Sequence, residues 1–198
     1  MSCTIARLVS AGLLSLLAAC SGSMPTPVAS DPLCGRQRDN DQRCNPTASA
    51  CLRTAIYNQC VMTKPLYRSE LETAYLKCYP ATLGCDATSQ SNALSCAHTQ
   101  EDQIPVGAAL TMLVNNTCQR CPGVARDQVT DPAVCTTNLT TNANDLARAL
   151  RYFTDDVLNK INTCLVAASP PADGCIAFGS CYSNQLPPAP VCAADGGA

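Results

Sequence analysis

The chain reads as an all-α protein, a disulfide-stapled bundle of about five to six helices behind a cleaved signal peptide and a flexible tether. Three observations lead there. Apolar residues recur at three- and four-residue spacing in several segments, and prolines separate those segments. The chain carries 16 cysteines. It has no Trp, two Phe and six Tyr, so a core of Ala, Val and Leu has to be reinforced by crosslinks.

Residues 1–19 have the layout of an export signal. Arg7 is the one charge of a short n-region, and an apolar run from Leu8 to Leu17 follows. That run is about ten residues, too short for a bilayer core that needs roughly 20. Small residues Ala18 and Ala19 precede Cys20. Residues 20–33, rich in Ser, Pro and Ala, read as a tether.

Leu17-Ala18-Ala19-Cys20 resembles the lipobox of bacterial lipoproteins. The resemblance implies cleavage before Cys20, attachment of diacylglycerol to its thiol, two or three acyl chains such as palmitate in all, and anchoring to a membrane. Two or three acyl chains anchor durably where one does not. Ser21 resembles the residue that follows the cysteine in lipoproteins sent to the outer membrane, so the implied location is the bacterial cell envelope, outer membrane before inner. In general plan the chain resembles cysteine-rich lipoproteins of gliding soil bacteria, a likeness that implies no named activity.

Without residues 1–19 the chain has 179 residues, with 12 basic and 15 acidic side chains, and no basic cluster. Nucleic acid is therefore excluded as a partner, because phosphate binding needs grouped Lys and Arg. Cys3 leaves with the signal and Cys20 carries lipid. Fourteen cysteines remain: Cys34, Cys44, Cys51, Cys60, Cys78, Cys85, Cys96, Cys118, Cys121, Cys135, Cys164, Cys175, Cys181 and Cys192. An even number in an exported chain reads as a framework of up to seven bridges in a cysteine-rich domain over 34–192, ahead of a disordered tail over 193–198. Fourteen cysteines allow on the order of 135,000 pairings, so the count leaves connectivity open.

In chain order, Cys34–Cys44 encloses a polar loop. Asn45-Pro46 reads as a helix start, with the helix reaching Met62. Cys51 and Cys60 lie on opposite faces of such a helix, so they staple it to different neighbours. Pro65 opens a second helix with Tyr67, Leu71, Ala74, Tyr75 and Cys78 as its stripe, and Pro80 ends it. Asp86 or Thr88 caps a third through Ala97. A fourth starts at Ile104-Pro105 and buries Val106, Ala109, Leu110, Leu113 and Val114. Cys118–Asn142 is irregular. The longest helix spans 143–167, capped by Asn142, with Leu146, Leu150, Phe153, Val157, Ile161 and Cys164 on one face. A short last helix carries Cys175, Phe178, Cys181 and Tyr182.

Two segments share a plan: a helix ending in cysteine, then Gly-Cys, then a helix with another cysteine. They are Cys78, Gly84-Cys85, Cys96 and Cys164, Gly174-Cys175, Cys181, a pattern that admits either internal duplication or chance recurrence. With seven cysteines on each side of Gln100, full pairing needs at least one bridge between the halves, which favours one domain over two.

Few constellations suggest chemistry. Cys118-Gln119-Arg120-Cys121 has the spacing of a thiol–disulfide couple, with Arg120 as a nearby cation, but it closes a helix instead of opening one. His98 is the one histidine, and no second Cys-x-x-Cys accompanies the first, so no metal, haem or other cofactor is expected. No Gly-x-Ser-x-Gly elbow is present, and no catalytic residue is assigned. Tyr57, Tyr67, Tyr75 and Tyr79 read as core before they read as a sugar- or peptide-binding patch. The leading expectation is a non-enzymatic binding or structural module for an envelope protein, peptide or glycan. The alternative is a thiol–disulfide oxidoreductase using Cys118 and Cys121.

Overall fold

The computed structural model describes residues 31–125, 129–141, 145–168 and 174–188. The expected signal peptide, Cys20, residues 20–30 of the tether, Asn142, Cys192 and the 193–198 tail lie outside the described residues. The described chain is all-helical and falls into two compact units. The first comprises residues 31–100 with 187–188, the second Glu101–Leu186.

In the first unit, α1 (Pro32–Cys44) begins where Asp31 accepts hydrogen bonds from the N–H groups of Leu33 and Cys34, at 3.0 and 3.1 Å, with Pro32 in the first turn. The segment expected to be a polar loop is therefore a helix, and it starts at the end of the expected tether. Its one buried residue is Cys34. Arginines hold it instead of an apolar stripe. The Arg36 guanidinium donates to the carbonyls of Leu76 (2.7 Å) and Tyr79 (3.2 Å). Arg43 donates to Ala81 (3.2 Å) and Leu83, and Arg38 lies 5.1 Å over the Tyr57 ring.

Helix α2 (Ala50–Thr63) starts at Ser49, whose hydroxyl accepts from the Leu52 N–H, not at Asn45-Pro46. Asn45 caps the end of α1 instead. A 3₁₀ turn over Lys64–Leu66 leads to α3 (Ser69–Cys78), which buries Leu71, Ala74 and Cys78 one turn apart as expected. Helix α4 (Ala87–Glu101) follows Asp86, which accepts from the Ser89 N–H and hydroxyl. Helix α1 packs against α2 and α3.

In the second unit, α5 (Ala108–Arg120) is central and packs against three later helices. Ala109, Leu110, Leu113, Val114, Thr117 and Cys118 form its buried face. Val106 precedes the helix and is exposed, contrary to its expected place in that stripe. A 3₁₀ turn over Pro122–Val124 follows. Helix α6 (Pro132–Thr140) occupies the segment expected to be irregular. Asp131 caps it, Pro132 fits its first turn, and Cys135 and Leu139 face inward one turn apart.

The expected long helix is two, α7 (Asp145–Tyr152) and α8 (Asp155–Ala167). Thr154 breaks it by taking extended geometry and capping α8, with Asp155 and Asp156 favourably placed in the first turn. The apolar stripe continues across the break, with Leu146, Leu150, Phe153, Val157 and Ile161 all buried. Helix α9 (Gly174–Ser183) contributes Phe178 and Cys181. Nine α-helices thus stand among the described residues where five to six were expected.

Gly174 has no room for a side chain. A Cβ there would collide with the Arg120 carbonyl oxygen and carbon. Gly174→Ala should therefore cost about 1–3 kcal/mol, the usual range for overpacking. A denaturant titration that found no change would show that α5 and α9 lie farther apart.

Candidate functional site

Six bridges join described cysteines: Cys34–Cys60, Cys44–Cys85 and Cys78–Cys96 in the first unit, Cys118–Cys135, Cys121–Cys175 and Cys164–Cys181 in the second. Their Cα–Cα distances run from 4.9 to 5.7 Å, within the range disulfides require. Cys51 is disulfide-bonded too, and not to Cys60, as the opposite-face argument required.

This arrangement corrects the oxidoreductase alternative. Cys118 and Cys121 do not form a couple; each is joined to a different helix. They are 0% and 1% exposed, so no substrate disulfide reaches either sulfur. Arg120 is also committed elsewhere. Its guanidinium donates to the carbonyls of Leu165 (2.8 Å), Ala168 (3.0 Å) and Val166 (3.3 Å) at the end of α8.

The tyrosines divide. Tyr57 is buried, and its hydroxyl accepts from the Asp31 N–H at 3.0 Å. Tyr75 and Tyr79 stack with centroids 5.3 Å apart and remain half-buried. Burial pushes the Tyr67 phenol above its ordinary pKa, against a hydrogen bond with Thr63. Their placement is that of packing groups. His98 is half-buried on α4. Among the described residues no three His, Cys, Asp or Glu side chains gather as a metal ion would need.

Lys64, Asp31 and Glu72 form a cluster that sequence reading missed. The Lys64 ammonium lies 2.6 Å from Asp31 and 2.7 Å from Glu72. Burial pushes the Asp31 carboxyl up. The Lys64 hydrogen bond and charge and the N–H groups of Cys34 and Leu33 outweigh it, so its pKa falls below the usual value. Hydrogen bonds to Asp31 and Glu72 raise that of Lys64.

The signs then set the pH dependence. A lowered Asp31 pKa contributes stability above about pH 3.9, lost as pH falls through the folded value. A raised Lys64 pKa contributes below about pH 10.4, lost as pH rises through the folded value. Melting curves from pH 2 to 6 should fall less steeply with acid for Lys64→Met than for the native chain. Equal slopes would show that the cluster carries no linkage.

A shallow cleft of about 350 Å³ opens in the first unit. Thr82, Ser89 and Asn92 supply polar groups, and Leu83, Ala93 and Cys78 supply apolar surface. The walls are fixed from both sides, because Cys78–Cys96 ties α3 to α4 and Cys44–Cys85 ties the intervening loop to α1. Arg43 holds the same loop by its carbonyls. The cleft carries no charged lining residue and no nucleophile–base pair, so its chemistry is that of contact and neutral hydrogen bonding. No sequence signal marks it beyond Pro80 and Gly84 bracketing the loop. Comparison of the chain with known protein families, characterised proteins and solved structures gave no match.

Proposed function

We propose that this protein is a non-enzymatic module of the bacterial cell envelope, anchored by lipid on Cys20, that presents rigid surfaces to an envelope protein, peptide or glycan. One observation carries the reading: all 13 described cysteines are spent in bridges, and the pair with catalytic spacing is buried in two separate ones. So dense a crosslink pattern belongs to an oxidising compartment. Among the described residues no helix is long and apolar enough to cross a membrane. The lipobox-like stretch at Leu17–Cys20 supports attachment through acyl chains.

Rigid display follows from the fold. The bridges hold the helices, so a surface such as the Thr82–Asn92 cleft loses little conformational entropy on contact. The test is fractionation of cells expressing the full chain and its Cys20→Ser variant. The native chain should sediment with membranes and take up labelled palmitate, and the variant should take up none. A native chain found in the soluble fraction, or an unchanged Cys20→Ser variant, would overturn the anchored reading.

A further inference from the structure

Number the six cysteines of each described framework in chain order, leaving Cys51 aside. In the first unit they are Cys34, Cys44, Cys60, Cys78, Cys85 and Cys96; in the second, Cys118, Cys121, Cys135, Cys164, Cys175 and Cys181. Both units pair first with third, second with fifth, and fourth with sixth. Six cysteines allow 15 connectivities, so an unrelated second framework would match about one time in 15.

The helices agree with the pairing. The first cysteine lies in the opening helix of each unit, α1 or α5, and the second at its C-terminal end. The third lies in the next helix, α2 or α6. The fourth lies in α3 or α8, the fifth follows glycine in Gly84-Cys85 or Gly174-Cys175, and the sixth lies in α4 or α9. The opening helix packs against the helices carrying the third and fourth cysteines in both units.

Features unrelated to sulfur repeat as well. An arginine immediately precedes the second cysteine in each unit. Arg43 reaches the carbonyls of Ala81 and Leu83 just past α3, and Arg120 reaches those of Leu165, Val166 and Ala168 at the end of α8. An aromatic residue stands 11 positions before the fourth cysteine, Tyr67 before Cys78 and Phe153 before Cys164. Four residues after each aromatic, Leu71 and Val157 are buried in the first turn of the helix.

We infer that the chain is a tandem of two copies of one six-cysteine, four-helix module, each folding on its own three bridges. Helix α7 has no counterpart in the first copy. Eighteen positions separate Cys135 from Phe153, against seven from Cys60 to Tyr67, and α7 occupies the difference. The shared parts are scaffold. The parts that differ are α7, the segment between first and second cysteines, and the segment between fourth and fifth, which in the first copy forms the cleft. Those are where each copy's contact specificity is placed. This inference does not depend on the lipid anchor.

The test compares two variants of the full oxidised chain, Cys34→Ala/Cys60→Ala and its counterpart Cys118→Ala/Cys135→Ala, by hydrogen exchange read segment by segment. Each should raise exchange about tenfold or more within its own unit and leave the other within about twofold. Increases throughout the chain from either variant would overturn two self-sufficient copies. Non-reducing peptide mapping of the native chain gives a second decision should a variant not fold. The same first–third, second–fifth, fourth–sixth order in both units supports the inference, and a different order in either defeats it.

Discussion

Replacing Cys121 and Cys175 together by alanine should lower the stability of the second unit by about 4 kcal/mol. The bridge closes the longest loop of the six, with a sequence separation of 54. Chain-entropy reasoning assigns a loop of that size about 4 kcal/mol, against about 3 kcal/mol for the 17-residue separations of Cys118–Cys135 and Cys164–Cys181. Cys121 is buried beside the close approach of Gly174 to Arg120, so truncation also loosens packing there. Denaturant titrations of the three paired variants would rank them. A Cys121/Cys175 variant less affected than the other two would show that native-state packing outweighs loop closure.

Arg151→Met should cost about 2–3 kcal/mol, the largest single-residue effect expected at a buried cation here. Arg151 is 7% exposed on α7. Its guanidinium donates to the Ile104 carbonyl at 3.1 Å and to the Thr140 carbonyl. One side chain thus joins the entry of α5, the end of α6 and α7. Burial pushes its pKa below the ordinary arginine value, and the charge of Asp102 opposes that shift. Methionine keeps much of the volume and removes both donors, leaving two carbonyls without their partner. Arg151→Lys should recover part of the loss, since one ammonium cannot reproduce the planar fork. Melting of both variants checks this. A methionine variant as stable as the native chain would mean that water replaces the guanidinium.

The fold class was readable because the strongest helices carry their own stripes. Leu110, Leu113 and Val114 on α5, and Val157 and Ile161 on α8, repeat at helical spacing and are buried. Helix α1 was not readable by that signal. It buries one cysteine and is held by arginine–carbonyl bonds and bridges, so apolar periodicity is missing. Its cue was Asp31-Pro32, the same N-cap and first-turn pair that opens α6 at Asp131-Pro132. The break between α7 and α8 was hidden because the stripe runs through it. Thr154 with two acidic residues behind it carried the information.

The candidate site was less legible. Side chains 11 residues apart in sequence, such as Thr82 and Ala93, meet at the cleft only through the packing that two distant bridges enforce. The Lys64 cluster likewise joins Asp31 across 33 positions. That cysteines are used as crosslinks follows from their even number in an exported chain, and the 13 described ones are all in bridges. Their pairing was not legible, since count and parity do not distinguish connectivities.

If these cysteines are structural crosslinks and not a working thiol couple, none of them carries a free thiol. A free-thiol count tests this on residues 21–198, exported behind a signal peptide cleaved before Ser21, denatured without reduction, alkylated and weighed intact. No added alkyl group is expected. Two labels mapping to Cys118 and Cys121 would contradict it and favour the oxidoreductase alternative.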